Sequence, residues 1–294
     1  MIKTILYNLI RKLKLFLTNK TNNEFLSKLY VEEIHKKLRI KQVNQYALNG
    51  FKVYSQNEED GIIEKIFDDI GTTNEIFCEI GIGDCVENNS HYLLLKDWRG
   101  IWIDAKSKYI KKLQKKIISD QNILDLIIKK IDKENINDVI KESDIIKNIN
   151  DKKIDFFSID IDSYDIDCIE SLNILKPRLI CIEYNSKFRQ NIRLDIKKIN
   201  SFSWAYDDYM GSSLKSINEV LVKKGYTLIA TNITGSNAFF VSNDLVIKCK
   251  TKGQTLNQLY SPSNYELFNY NVAHAPTNKY LIDKLNAKKN INSN

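Results

Sequence analysis

Apolar side chains recur along this chain with two spacings, and the change between them divides it. In residues 2–17, Ile2, Ile5, Leu6, Leu9, Leu13, Phe16 and Leu17 form one helical stripe, with Lys3, Arg11, Lys12 and Lys14 largely off it. Thr18–Asn23 is a polar break, and a second amphipathic helix is expected over 24–40, with Leu26, Leu29, Tyr30, Ile34 and Leu38 on its stripe. From residue 51 short apolar runs alternate with helical patterns. Ser55-Gln56-Asn57-Glu58 reads as a capping box opening a helix that turns Ile62, Ile63, Ile66, Phe67 and Ile70 inward and stops at Gly71. Strands are expected at 75–80, 101–103, 123–130, 154–159 and 178–182. Helices are expected between them at 89–97, 106–119, 134–148 and 165–172. A helix over 211–224 then ends at Gly225.

Five strands separated by helices predict a parallel, doubly wound α/β sheet. The last two apolar runs, 226–231 and 237–242, are separated only by 232–236. So short a connection forces a hairpin, which makes one strand of a seven-stranded sheet antiparallel. The expected organisation is therefore N-terminal helices in 1–50, an α/β body in 51–250, and an extension over 251–294 ending in a polar, basic tail.

Charge sharpens this division. The chain has 294 residues and a net charge of +7, and its first fifty hold ten basic residues against Glu24, Glu32 and Glu33. That excess of seven is the whole net charge, so the body is neutral. A nucleic-acid enzyme would need positive charge over its folded body, and no nucleic-acid partner is expected. The basic amphipathic arm suits either packing on the body or a partner subunit, as in a homo-oligomer, or peripheral contact of residues 1–20 with an anionic membrane. Its apolar run is broken by charge and lacks a small-residue cleavage site, unlike a signal peptide.

No run approaches the ~20 apolar residues needed to span a bilayer. Cys78, Cys85, Cys168, Cys181 and Cys249 include no CxxC pair. They read as reduced, mostly buried thiols of a cytoplasmic protein, peripheral at most at the inner face of the membrane. His35, His91 and His274 are too few for a histidine-rich metal site. His274 is a weak candidate base, while His35 and His91 read as surface or packing residues.

Two strand ends carry candidate chemistry. Glu79-Ile80-Gly81-Ile82-Gly83-Asp84 places a glycine turn after the first strand, where backbone can approach a nucleoside closely. Residue 86 is Val, so the dinucleotide fingerprint GxGxxG fails, which disfavours a nicotinamide-dependent oxidoreductase. Asp104, ending the second strand, suits either a ribose-binding carboxylate or a helix cap. At the fourth strand's end, Asp160 and Asp162 flank Ile161 and would share a side if extension persists, with Asp165 read as a helix cap. Glu183 and Asn185 repeat that spacing on the fifth. Asp160, Asp162 and Glu183 could hold a hard cation, or a carboxylate there could take a proton from a hydroxyl. Phe202, Trp204, Tyr206 and Tyr209 could stack on a sugar or base.

The segments YSQNEEDGIIEKIF (54–67), EIGIGDCVENNSHYLLLKDWRGIWID (79–104), IDFFSIDIDSYD (154–165), KPRLICIEYN (176–185), GSSLKSI (211–217) and NITGSNAFFV (232–241) occur in this order. Together they resemble FkbM-type S-adenosylmethionine (SAM) dependent methyltransferases, in particular bacterial members from surface-polysaccharide gene clusters. The resemblance spans about residues 51–243. It implies a class I methyltransferase fold, Rossmann-like with one antiparallel strand, in 51–250. The implied reaction is methyl transfer from SAM to a sugar hydroxyl of a nucleotide-linked or capsular precursor. By position, Glu79, Gly81, Gly83, Glu87, Asn88 and Asp104 would surround SAM, with Gln56 and Asp60 closing over it. Asp160, Asp162, Glu183, Asn185 and Asn237 would face the acceptor, Asp160 or Asp162 acting as base with or without a divalent metal. Family members usually carry Gly where Cys85 and Ser163 stand, so a side chain at either position would crowd the cofactor or need another backbone conformation. The alternative that this opens is a non-catalytic, membrane- or partner-docked scaffold.

Overall fold

The computed structural model describes residues 20–116, 123–149, 151–195, 210–265, 267–268 and 277–291. The expected helix over 2–17, the aromatic group 202–209 and His274 lie outside these residues. The seven strands are β1 (Ile76–Ile80), β2 (Arg99–Asp104), β3 (Leu124–Ile128), β4 (Lys153–Ile159), β5 (Lys176–Glu183), β6 (Tyr226–Thr231) and β7 (Asn237–Ser242). They form one sheet in the order β3-β2-β1-β4-β5-β7-β6. Pairing is parallel from β3 through β5, and β7 runs antiparallel to both β5 and β6. The hairpin and its antiparallel strand are thus where the chain pattern placed them.

Helices cover both faces, which is why β1 and β4 are buried at successive positions rather than at alternate ones. The helices are α1 (Lys20–Lys41), α2 (Glu59–Ile70), α3 (His91–Leu95), α4 (Ser107–Gln114), α5 (Ile136–Lys141), α6 (Asp144–Lys147), α7 (Asp165–Ser171), α8 (Leu214–Lys223), α9 (Leu256–Leu259) and α10 (Lys279–Ile291). On one face Ile76, Cys78 and Ile80 of β1 meet Ile140, Ile169 and Ile217 from α5, α7 and α8. On the other, Phe77, Trp102 and Phe156 meet Ile66, Leu94 and Ile110 from α2, α3 and α4.

Four local expectations are corrected. The single helix expected at 134–148 is two, because Ser143 leaves the helical region (φ −66, ψ 130) to cap α6 through Ile146 N–H, and its hydroxyl also bonds Asp125 on β3. The capping box at 55–58 does not form. Glu58 instead accepts Ile233 N–H at 2.6 Å, while the Ser55 hydroxyl accepts Asp60 N–H at 3.2 Å. The expected polar tail contains α10, which buries Leu281 and Leu285 in the second core and anchors Lys284 on the Leu95 carbonyl and on Asp97 at 3.0 Å. On α1, Ile34 and Leu38 pack with Val31 against Ala47, Ile233 and Leu267, but Leu26, Leu29 and Tyr30 of the expected stripe are exposed.

Candidate functional site

The carboxyl ends of the parallel strands converge on one edge. There β1 passes into the turn Gly81–Gly83, and Gly81 donates to the Ile103 carbonyl at 2.9 Å. Gly81 has φ +89, and a Cβ on it would lie 1.7 Å from the Asp160 carbonyl oxygen, so this position accepts only glycine. Gly83, at φ +54, has nothing within 4 Å of where a Cβ would be. The same turn is therefore closed on the β4 side and open above Gly83.

Asp104, at the end of β2, accepts Gly83 N–H at 2.9 Å on one oxygen and Lys106 N–H at 2.6 Å on the other. It braces the turn and the residue before α4, whose N-terminus carries no side-chain cap. A carboxylate keeps further lone pairs for a ligand hydroxyl. Glu79 points elsewhere. Its buried carboxylate accepts Asn89 and Ser90 N–H at 2.8 and 2.9 Å, and the Ser90 hydroxyl in turn accepts the Trp102 indole. Glu79 therefore anchors the entry to α3, and burial raises its pKa to about 7. The neighbouring Asn88 is 2% exposed with no partner for either side-chain amide atom.

Gln56, Asp60 and Glu87 belong to a strap beside this turn. Lys52 ties it together, pairing with Glu87 at 3.1 Å and donating to the Gln56 carbonyl at 2.9 Å. Asp60 gathers the N–H groups of Val53, Tyr54 and Ser55, and burial raises its pKa to about 6. An open turn above Gly83, an unsatisfied buried amide at Asn88 and a carboxylate at the β2 end fit a nucleoside-type cofactor.

The second cluster touches the first. Carboxylate oxygens of Asp160, Asp162 and Glu183 lie within 4.8 Å of one another, close enough to hold one hard cation. The route differs from the expected extension. Asp162 adopts φ +59, so the backbone turns after Ile161 and Asp162 sits at the exposed rim. Asp165 folds this turn by accepting Ile161 and Ser163 N–H at 2.8 and 3.2 Å, rather than capping α7. Asp160 and Glu183 bring their carboxylates together. Burial first, then the negative charge of Asp162 and Asp165 on Asp160 and of Asp160 on Glu183, hold both well above the usual carboxylate range. For Asp162 burial also raises the pKa, with Lys106 opposing.

Asn185 and Asn237 do different work. The Asn185 amide donates to the Met210 carbonyl at 2.9 Å and accepts Lys187 N–H at 3.2 Å, fastening the segment that enters α8. Asn237 stands opposite Glu183 in the β5–β7 register and donates to Glu59 at 2.9 Å, leaving its buried Oδ1 without a partner. Glu183 Oε2 and the Ser212 hydroxyl are likewise buried and unpartnered. A Cβ on Gly211, the neighbour of Ser212, would lie 3.9 Å from Glu183 Oε2.

Glu59 is a buried residue beside this cluster that the sequence pattern hid. Its Oε1 accepts the amides of Asn232 and Asn237 at 2.7 and 2.9 Å, and its Oε2 accepts Asn57 N–H at 2.9 Å. The run Glu58-Glu59-Asp60 holds more carboxylates than a helix start needs, which was the available signal.

The two positions where the resemblance expects Gly differ in consequence. Cys85 is buried at φ +65, a left-handed conformation that favours glycine. Ser163 is not left-handed and donates to the Ile161 carbonyl at 3.2 Å without strain. His91 is buried and stacked on Tyr54 at 4.0 Å, with burial lowering its pKa to about 4, as a packing residue requires.

The strand order and the single reversed strand make this a doubly wound, Rossmann-like sheet. The chain matches no protein-family model and no curated protein. Among solved structures it is similar to a candidate caffeoyl-CoA O-methyltransferase from Staphylococcus aureus, at 17% identity and TM-score 0.42, over 76% of this chain and 99% of that one. A SAM-dependent methyltransferase from Clostridium acetobutylicum ATCC 824 matches at 12% identity and TM-score 0.36, over 63% and 90%. The glycopeptide N-methyltransferase MtfA, complexed with SAM, matches at 10% identity and TM-score 0.32, over 61% and 86%.

Proposed function

We propose that this chain is a SAM-dependent methyltransferase that O-methylates a sugar hydroxyl of a nucleotide-linked or surface-polysaccharide precursor. The observation that carries the reading is the contact of Gly81 with the Asp160 backbone, which makes the nucleoside turn and the carboxylate cluster one site. Gly81, Gly83, Asn88 and Asp104 would hold the cofactor, which supplies an electrophilic methyl group. A sugar hydroxyl is weakly acidic and needs a base. The adjacent carboxylates of Asp160 and Glu183 are suited to this, since a raised pKa makes a deprotonated carboxylate a stronger proton acceptor. Asp160, Asp162 and Glu183 would also hold a divalent cation, which would polarise the hydroxyl. Asn237, held by Glu59, keeps its free oxygen available to the acceptor.

The test is a panel of nucleotide sugars with SAM, with and without chelator, on the wild type and Asp160→Asn. Turnover by the wild type, lost in the variant while SAM affinity is kept, is the expected result. SAM binding without turnover on any sugar would favour the scaffold reading, to which the left-handed Cys85 lends support.

The N-terminal arm is proposed to dock on an anionic membrane surface. Among the described residues no helix is long and apolar enough to cross a membrane. The exposed Phe25, Leu26, Leu29 and Tyr30 of α1 suit surface contact.

A further inference from the structure

A cleft of about 660 Å³ opens between α4, α10 and the loop after Gly83. Its volume is in the range of small-molecule sites. The two helices are joined beside it. Asn286 donates to the Lys116 carbonyl at 3.1 Å, and Leu281 and Leu285 are buried in the core, whereas Leu113, Ile282 and Val86 line the gap.

Lys112, Lys115, Lys116 and Lys279 also line this cleft, against Asp84 and Asp283. None of the four lysines has an ion-pair partner among the described residues, although Asp84 and Asp283 line the same cleft. Four like charges around one concavity repel one another and concentrate a positive potential there. Apolar walls below a cationic rim suit a ligand with a multiply charged anionic head and an uncharged body. Lysine ammonium groups bind phosphate oxygens as point charges without demanding one geometry.

We propose that this cleft is a second ligand site, for a diphosphate-bearing molecule, separate from the methyl-transfer centre. It stands independently of the methyltransferase reading, since none of its lining residues is in the cofactor or carboxylate sets.

The experiment is calorimetric titration of the full chain with inorganic pyrophosphate at low and high salt, for the wild type and for Lys112→Gln/Lys115→Gln/Lys116→Gln. These three residues are exposed, so the variant should fold, and an unchanged thermal midpoint checks this. Salt-sensitive binding that the variant weakens by about tenfold or more supports the site. A second arm measures co-sedimentation with phosphatidylcholine vesicles containing phosphatidic acid. The N-terminal arm contributes equally to both proteins, so a loss confined to the variant identifies a lipid phosphate as the source. Absence of binding in both arms, or equal binding by wild type and variant, overturns the proposal.

Discussion

Gly81 and Asp160 meet through their backbones, with room for only a hydrogen on residue 81: a Cβ there would stand 1.7 Å from the Asp160 carbonyl oxygen. Gly81→Ala must push β1 and β4 apart at the site and should cost about 3 kcal/mol or more, from overlap and the left-handed φ together. Gly83→Ala meets no neighbour, so it should cost only about 1 kcal/mol. It should nevertheless weaken SAM binding, because its methyl occupies the open side of the turn. Thermal unfolding with SAM calorimetry separates the two, and equal stability losses would refute this account of the turn.

Glu59 satisfies donors from three asparagines in a buried setting. Glu59→Ala leaves them unpaired, each at about 1–3 kcal/mol, so the variant should be severely destabilised. Glu59→Gln keeps the shape and part of the bonding and should fold with a smaller loss. Denaturant midpoints check the order; if alanine is the milder change, the network is not structural.

Stability should fall as pH rises from 6.5 to 8. Burial raises Glu58 to about 8 and Glu79 to about 7, above the ordinary glutamate value of 4.5. The folded state therefore holds these protons more tightly than the unfolded chain. Their contribution is complete below the unfolded value and is lost as pH passes through the folded one. His91 acts oppositely: its value is lowered from 6.5 to about 4, so its effect is confined to lower pH. The slope per group is at most about 1.4 kcal/mol per pH unit. Glu58→Gln should flatten the decline, as read by denaturation at pH 6.5, 7.2 and 8.

Docking of α10 should be energetically real. Leu281 is 0% exposed in the same core as Ile66 and Trp98. Leu281→Ala should cost about 2–4 kcal/mol, whereas Tyr280→Ala, at a 72% exposed neighbour, should change stability by under about 0.5 kcal/mol. Urea midpoints decide this, and equal effects would mean that the helix is not seated in the core.

Strand order is a global property, but much of it was readable locally. The run 154–159 is buried at every position because both its faces are covered, and the five residues between 231 and 237 leave no length for anything but a hairpin. Helix 134–148 misled because apolar spacing continues across Ser143, whose hydroxyl is recruited by Asp125 from another element. Likewise the leucines of α10 looked like a tail, since their partners lie nearly two hundred residues away.

By itself the sequence determined the sheet with its reversed strand, the glycine turn and the acidic strand ends. These depend on periodicity, connection length and backbone freedom, all encoded within a few residues. Tertiary structure alone decided what each carboxylate faces. Glu79 turns to the start of α3, Asp165 to its own loop, and Asp160 towards Glu183, because each orientation depends on how the folded backbone presents its donors and neighbours. It also created the lysine-rimmed cleft, whose two helices meet only when the chain's end packs on its middle.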